Sequence, residues 1–281
     1  MKIQTKISSV IFTLILTTGI VTIVSIAFVS KQLIEADIYA HLENIAISRA
    51  SHVETLFVEH QDVVEILATE STFVEAATNP NSQPVALLQK RIKHLAQIDD
   101  HISRIRVLDK NGDVLVSTHS HLGIDAAGNA EIFAHGKEGI YIRDIHTSTM
   151  TGTKVFSIST PIIVKDEFVG IVIANIEVEN RLYQITTNRT DLGNTGEIYL
   201  INKAGYMITP SRFLDDTFLK QKVNSQEARE WLELSEEEQK AEHAEMDIYE
   251  NYRGELVIGT HRTIKGMDWC LLAEIEIEEA F

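Results

Sequence analysis

Arg104 and Arg106 stand two residues apart in the apolar run of residues 102–108. Alternate positions of a strand share one face, so the two guanidiniums are expected side by side. The same reading applies to Tyr141 and Arg143 in residues 140–146, and to Ser157 and Ser159 in residues 154–163. Asn175 shares parity with Ile171 and Ile173 in residues 168–178, and Phe156, next to Ser157, is counted with the group. Asp144 adjoins Arg143, but alternation turns it the other way unless the strand end twists. A polar side chain among apolar strand neighbours needs a partner, and a bound small molecule can supply it. Guanidinium forks match carboxylates bidentately and hydroxyls donate, so the group predicts a polar or anionic ligand. The ordinary alternative pairs Arg143 with a surface carboxylate and turns the serines toward an edge or a loop.

Signatures of catalysis are missing from the residues after position 30. There is no Gly-x-Ser-x-Gly elbow, no His-Glu-x-x-His, no Cys-x-x-Cys and no Gly-rich phosphate loop ending in Lys and Ser or Thr. No catalytic residue and no cofactor is therefore assigned, and a binding module is favoured over an enzyme. Among the eleven histidines, His119 with His121 is the best metal-binding pair, with His146 able to approach across a sheet. A closed site wants four ligands, so histidines at the surface beside a loop are the preferred reading and no metal is assigned. Arg212, between Pro210 and Phe213 and near Tyr199, is expected to brace a turn. A net charge of −16 argues against nucleic acid and against flat adhesion to anionic lipid. The single cysteine, Cys270, lies in an apolar run and is expected to be buried in a strand.

The elements that must position these residues begin with residues 7–30, which contain no Asp, Glu, Lys, Arg or His. At ~1.5 Å per helical residue the run reaches roughly 36 Å, enough to cross a ~30 Å hydrocarbon core. A cleaved secretory signal is the rival, but its apolar region is usually only ~7–15 residues. Lys2 and Lys6 precede the run, so positive-inside logic keeps residues 1–6 in the cytoplasm and sends residues 31–281 outside. From position 31 to about 70, Ile34, Ile38, Leu42, Ile45, Val53, Leu56, Val63 and Leu67 recur at helical steps, which predicts a stalk continuous with the anchor. Arg49 and His60 interrupt the stripe, so it serves partly as a packing face and partly as a helix-helix seam, and a homodimer is expected.

Pro80 and Pro84 bracket a loop at residues 79–83, and residues 87–97 look helical. Strand-like runs follow at residues 102–108, 114–118, 140–146, 154–163 and 168–178, with a helix expected over residues 124–135. After a linking helix at residues 179–187, a smaller copy appears. It has a hairpin at residues 198–209, an acidic helix over residues 219–246, and strands within residues 248–263 and 268–277. The fold class is α+β: a membrane helix running into a stalk, then a distal module (residues 71–178) and a proximal module (residues 179–281). Each is an antiparallel sheet with its own core.

The segment GNTGEIYLINKAGYMITPSRF at residues 193–213 resembles the membrane-proximal half of double Cache sensor domains. The segments YENYRGELVIGTHRTI and WCLLAEIEIEEAF are similar to its closing strands, and IRVLDKNGDVLVST with STPIIVKDEFVGIVIANIEV to the distal half. The resemblance implies two PAS-like modules on a helical stalk, a small-molecule ligand in the distal module, and placement outside the bacterial inner membrane. It also implies a second membrane helix after Phe281 and a cytoplasmic output domain. A histidine kinase leads as the output, with a chemotaxis transducer or a diguanylate cyclase as alternatives. A membrane-tethered solute-binding protein without output is the rival. Amino-acid-binding Cache domains use an Arg-x-Trp-Tyr arrangement in the helix and a carboxylate on the last distal strand. The comparable stretch here reads EIFAHGKEGIY and the strand carries Asn175, which favours an anionic or neutral polar ligand.

Overall fold

The computed structural model describes residues 3–80, 82–98, 101–119, 126–149, 151–235, 237 and 246–281. Helix α1 (Ile3–Thr69) runs unbroken for 67 residues, about 100 Å at the usual rise. No proline interrupts it, so the apolar segment and the stalk form one rod. Its apolar N-terminal part is long enough to cross a membrane, and Ile11, Phe12, Leu14 and Ile15 all face outward there. Farther along, Leu42, Ala46, Ala50, Val53, Phe57, Val64 and Leu67 turn inward as a buried stripe.

Helices α2 (Ser71–Thr78) and α3 (Ser82–Ile98) follow. Because α3 already starts at Ser82, the loop expected at residues 79–83 is shorter than the prolines suggest. Pro84 fits within the first helical turn, where its missing N–H has no partner to lose. The first sheet contains β1 (Ile102–Asp109), β2 (Val114–Ser117), β3 (Tyr141–Thr147), β4 (Lys154–Val164) and β5 (Glu167–Glu177). Its strands are antiparallel in the order β2-β1-β5-β4-β3, with α4 (Ala126–Gly136) between β2 and β3 in the chain.

Helix α5 (Leu182–Thr187) leads to the second sheet, which contains β6 (Glu197–Asn202), β7 (Asp247–Glu250), β8 (Leu256–Ile264) and β9 (Trp269–Glu276). The order is β6-β9-β8-β7, with α6 (Gln226–Glu233) crossing and α7 (Ile277–Ala280) following β9. The acidic helix expected over residues 219–246 is confined, among the described residues, to α6, capped by the Ser225 side chain on the Ala228 amide. The segment before it is held otherwise: the Leu219 amide donates to the Met207 carbonyl, and the Met207 amide to that of Gln221. Of the strand expected at residues 206–209, only Tyr206 and Met207 make isolated bridges, to Lys222 and Ile201.

Alternation on each strand sends one set of side chains toward α1 and the other away. On the stalk side the apolar residues form one continuous cluster, from Ile105, Phe156, Ile158 and Val172 of the first sheet to Ile198, Leu200, Trp269 and Leu271 of the second. On the far faces the clusters are separate: Leu108, Ile132, Ile171 and Ile173 form one, and Tyr199, Trp231, Cys270 and Leu272 another. The sheets share the stalk side because one helix covers both. Phe57 of α1 packs 4.6 Å from the Phe156 ring and 5.0 Å from the Trp269 ring, so a single aromatic touches both sheets. Phe57→Ala should lower unfolding stability by about 3–5 kcal/mol. Urea denaturation followed by circular dichroism measures this, and a loss below 1 kcal/mol would show that the wedge is dispensable.

Candidate functional site

The register of the first sheet lines the candidate residues up in two cross-strand rows. Arg104 of β1 faces Asn175 of β5, Asn175 faces Ser157 of β4, and Ser157 faces Arg143 of β3. In the adjacent row Ser117 faces Arg106, Arg106 faces Ile173, Ile173 faces Ser159, and Ser159 faces Tyr141. Both rows lie on the face turned away from the stalk, beside Ile171, Ile173 and Ile132 of α4.

The side chains bond between the rows. Arg104 Nε donates to Ser117 Oγ at 3.2 Å, and Arg106 Nη2 reaches Asn175 Oδ1 at 3.4 Å. Ser157 Oγ donates to the same Asn175 oxygen at 3.2 Å, while Ser159 Oγ lies 3.3 Å from the Tyr141 carbonyl and 3.4 Å from that of Ile132. Arg104 and Arg106 are only 9% and 6% exposed, which is rare for a guanidinium. Desolvation lowers the pKa of Arg104, yet an arginine keeps its charge at any ordinary pH, so burial costs free energy without removing the cation.

Helix α4 brings residues that strand alternation could not reveal. Glu131 accepts the Tyr141 hydroxyl at 2.7 Å and lies 3.6 Å from Arg143 Nε, and His135 stacks on the Tyr141 ring at 4.7 Å. Burial, and then the bond to Glu131, pushes the Tyr141 phenol up to about 12. The spacing of Glu131 and His135, one helical turn apart and facing a strand tyrosine, is the signal that could have found them. Ser117 was legible from its place at the end of β2, opposite Arg106.

Two candidate residues stand apart from the rows. Phe156 points to the opposite face, because its neighbours Ser157 and Ser159 take the polar one, and it joins the stalk-side core beside Phe57. Asp144 sits at the irregularity in β3 between Arg143 and His146 and accepts the Trp269 indole N–H at 2.7 Å, tying the two sheets together. His146 contacts Arg143 Nη1 at 3.4 Å and the Asp144 carbonyl at 2.9 Å, which places it with the site's arginine. His119 is bonded to Thr118, and His121 lies outside the described residues. Among the described residues, Glu227, Glu230 and Asp247 bring three carboxylates together, with Glu227 also engaged by His261. Arg212 donates to the carbonyls of Gly196 and Gly193 and so ties the segment after the hairpin to the loop that precedes β6.

A family model described as Cache domain matches residues 30–281. No curated protein sequence matches the chain. Among solved structures, the extracellular domain of mmHK1S-Z2 superposes with a TM-score of 0.67 at 14% identity, covering 86% of this chain and 98% of that one. The sensor domain of the Vibrio cholerae histidine kinase DctB gives 0.61 at 11% identity, covering 86% and 98%. The ligand-binding domain of the Pseudomonas fluorescens chemoreceptor CtaA, in complex with L-isoleucine, gives 0.60 at 16% identity, covering 90% and 98%. At these identities the likeness is one of fold.

Close approach of α4 to the sheet depends on Gly136, where a methyl group would collide with Ser159 Oγ and Ile171 Cδ1. Gly136→Ala should therefore destabilise the first sheet by about 1–3 kcal/mol. Glu131→Gln, which alters only a partly exposed ion pair and a tyrosine hydrogen bond, should cost less than about 1 kcal/mol. Thermal denaturation of both variants checks the ordering, and a larger loss for Glu131→Gln would contradict it.

Proposed function

The chain belongs to the Cache domain family, and from that membership we propose that residues 31–281 form the extracytoplasmic ligand-sensing region of a transmembrane receptor. The N-terminal third of α1 serves as the membrane anchor, and the distal module holds the ligand on the face crossed by α4. One observation carries this reading: the Arg104 guanidinium is buried on that face and its hydrogen bond is to a neutral serine hydroxyl. A buried cation held by neutral groups is costly, and an incoming carboxylate would offset that cost while filling a bidentate fork. Arg106, Ser157, Ser159 and Asn175 surround the same position with donors and one amide, which suits a small polar or anionic molecule.

A second reading rests on Glu131. An amino acid would offer its carboxylate to the arginines and its ammonium to this helix carboxylate, and CtaA, of the same fold, was solved with L-isoleucine. The sequence expectation placed such a carboxylate on the last strand and found only Asn175, whereas α4 supplies one from the opposite side of the rows.

For output, a histidine kinase is the leading proposal, in keeping with the likeness to the DctB sensor domain, and a chemotaxis transducer or diguanylate cyclase is the alternative. A second membrane helix beyond Phe281 belongs to this proposal. Dimerisation is assigned to α1, whose outward positions include Leu33, Ile47, Val58 and Ile66. Ligand can shift the receptor only by the difference between its affinities for two conformations.

Thermal-shift screening of the full chain in detergent, against organic acids, amines and amino acids, tests the site. At least one carboxylate-bearing compound should raise the midpoint, and Arg104→Ala or Arg106→Ala should abolish that shift. Retention of the shift in both variants would remove the site from this face. A shift by amino acids but not by their deaminated acids, lost in Glu131→Gln, would select the second reading.

A further inference from the structure

The second sheet carries an opposite arrangement. Glu197 of β6 and Glu274 of β9 are direct cross-strand partners, and they are only 3% and 1% exposed. Side chains directly opposite in an antiparallel pair have Cβ atoms about 4.5–5.5 Å apart, so the two carboxyls are neighbours. The atoms that bond to Glu274 are neutral: Asn251 Nδ2 at 2.7 Å, the Tyr199 hydroxyl at 3.1 Å and the Tyr249 hydroxyl at 3.4 Å. Those to Glu197 are neutral as well, being the Arg212 amide at 2.6 Å and the Tyr252 hydroxyl at 2.5 Å.

The cations nearby are committed elsewhere. The Arg212 guanidinium holds the carbonyls of Gly193 and Gly196. Arg253 bonds Glu276 at 2.8 Å and lies 3.8 Å over the Phe213 ring. Farther along the same face, Glu227 of α6 pairs with His261 of β8, and Cys270 of β9 is buried. Two adjacent buried carboxylates with neutral donors do not both ionise without a large desolvation and repulsion cost.

We propose that Glu274, opposed by Glu197, is a proton-binding site in the proximal module, which makes that module responsive to extracytoplasmic acidity even with no ligand bound in the distal module. Burial first, and Glu197 second, push the Glu274 carboxyl up to about 7, against the lowering effects of Asn251, Tyr199 and Arg253. A cavity of about 60 Å³ lined by Glu197, Arg212, Pro210 and Ser211 lies beside the Glu197 member of the pair. Strand β9 carries Glu274 and runs through Glu276 into α7, which lines a cleft of about 190 Å³ together with Asp37, Ile38 and His41 of α1. The proton thus sits on the strand that reaches the base of the stalk.

The folded state binds this proton more tightly than the unfolded chain does. Its contribution to stability is therefore present at the acidic side and is lost as pH rises from about 4.5 to about 7. The test uses the full chain in detergent without added ligand, melted between pH 5 and 8, alongside Glu274→Gln, which mimics the protonated form. Wild type should lose stability across this range. Glu274→Gln should lose less and melt roughly 5 °C above wild type at pH 8. Infrared difference spectra between pH 5 and 8 should show a carboxylic-acid carbonyl band that is absent from Glu274→Gln. Should that variant not fold, Glu197→Gln supplies the decision: relief of repulsion should move the midpoint of the band to lower pH by about one unit. An unchanged pH slope in Glu274→Gln, or a midpoint unmoved in Glu197→Gln, overturns the proposal. Because no distal ligand enters, neither result bears on the arginine site.

Discussion

Neither sheet can hide its inward face without the stalk, and this dependence organises the molecule. Each sheet is apolar on the side facing α1, and the stripe from Leu42 to Leu67 is the surface that covers both. Phe57 marks the place where the sharing is closest, with one ring against Phe156 and Trp269 together. The Trp269 indole N–H also bonds Asp144, so the junction combines apolar packing with a directional contact that fixes how the sheets meet. A shared core has a mechanical consequence. Close-packed interiors do not deform continuously, so a shift in either sheet must be matched by the helix that both rest on.

On the faces turned away from the stalk, the sheets part company. The distal face buries arginines against hydroxyls and an amide, whereas the proximal face buries two glutamates against tyrosines and an asparagine. The overall charge of −16 suggests neither arrangement, because net charge is dominated by solvated side chains and says nothing about which few are desolvated. In each sheet the buried charge sits opposite the apolar core and beneath a crossing helix or loop. The first sheet thus buries cations on this face and the second buries carboxyls.

Much of this was legible in the sequence because strand alternation is a hard constraint. Parity pairs Arg104 with Arg106, Ser157 with Ser159, and Asn175 with Ile171 and Ile173 within their strands, and the register of the sheet brings the three sets to one face. The same rule turns Phe156 away, since its parity is opposite to that of Ser157 and Ser159. It would also have marked Glu197 and Glu274, each a carboxylate in an apolar run, had the proximal strands been searched as closely. What parity cannot supply is the partner from a different element. Glu131 reaches Tyr141 because α4 packs down at Gly136, and Asp144 reaches Trp269 because β3 is irregular at its end. The acidic stretch misled for a related reason: helical composition at residues 219–225 was overridden by backbone bonds to residues 205–207, which composition does not encode.

The connection between the sheets also bounds how any signal can travel. A ligand settling among the arginines would act on β1, β4 and β5, whose opposite faces press Ile105, Phe156 and Val172 into the stalk-side core. A proton on Glu274 would act on β9, whose opposite face contributes Trp269, Leu271 and Ala273 to the same core. Two inputs that bear on one helix through one packed cluster are thermodynamically linked, and the linkage is reciprocal. Whatever factor the proton applies to ligand affinity by favouring one stalk position, the ligand must apply to proton affinity through the same shift. The shared core around Phe57 therefore allows a sensor of this build to weigh a solute against acidity without any contact between the two binding groups.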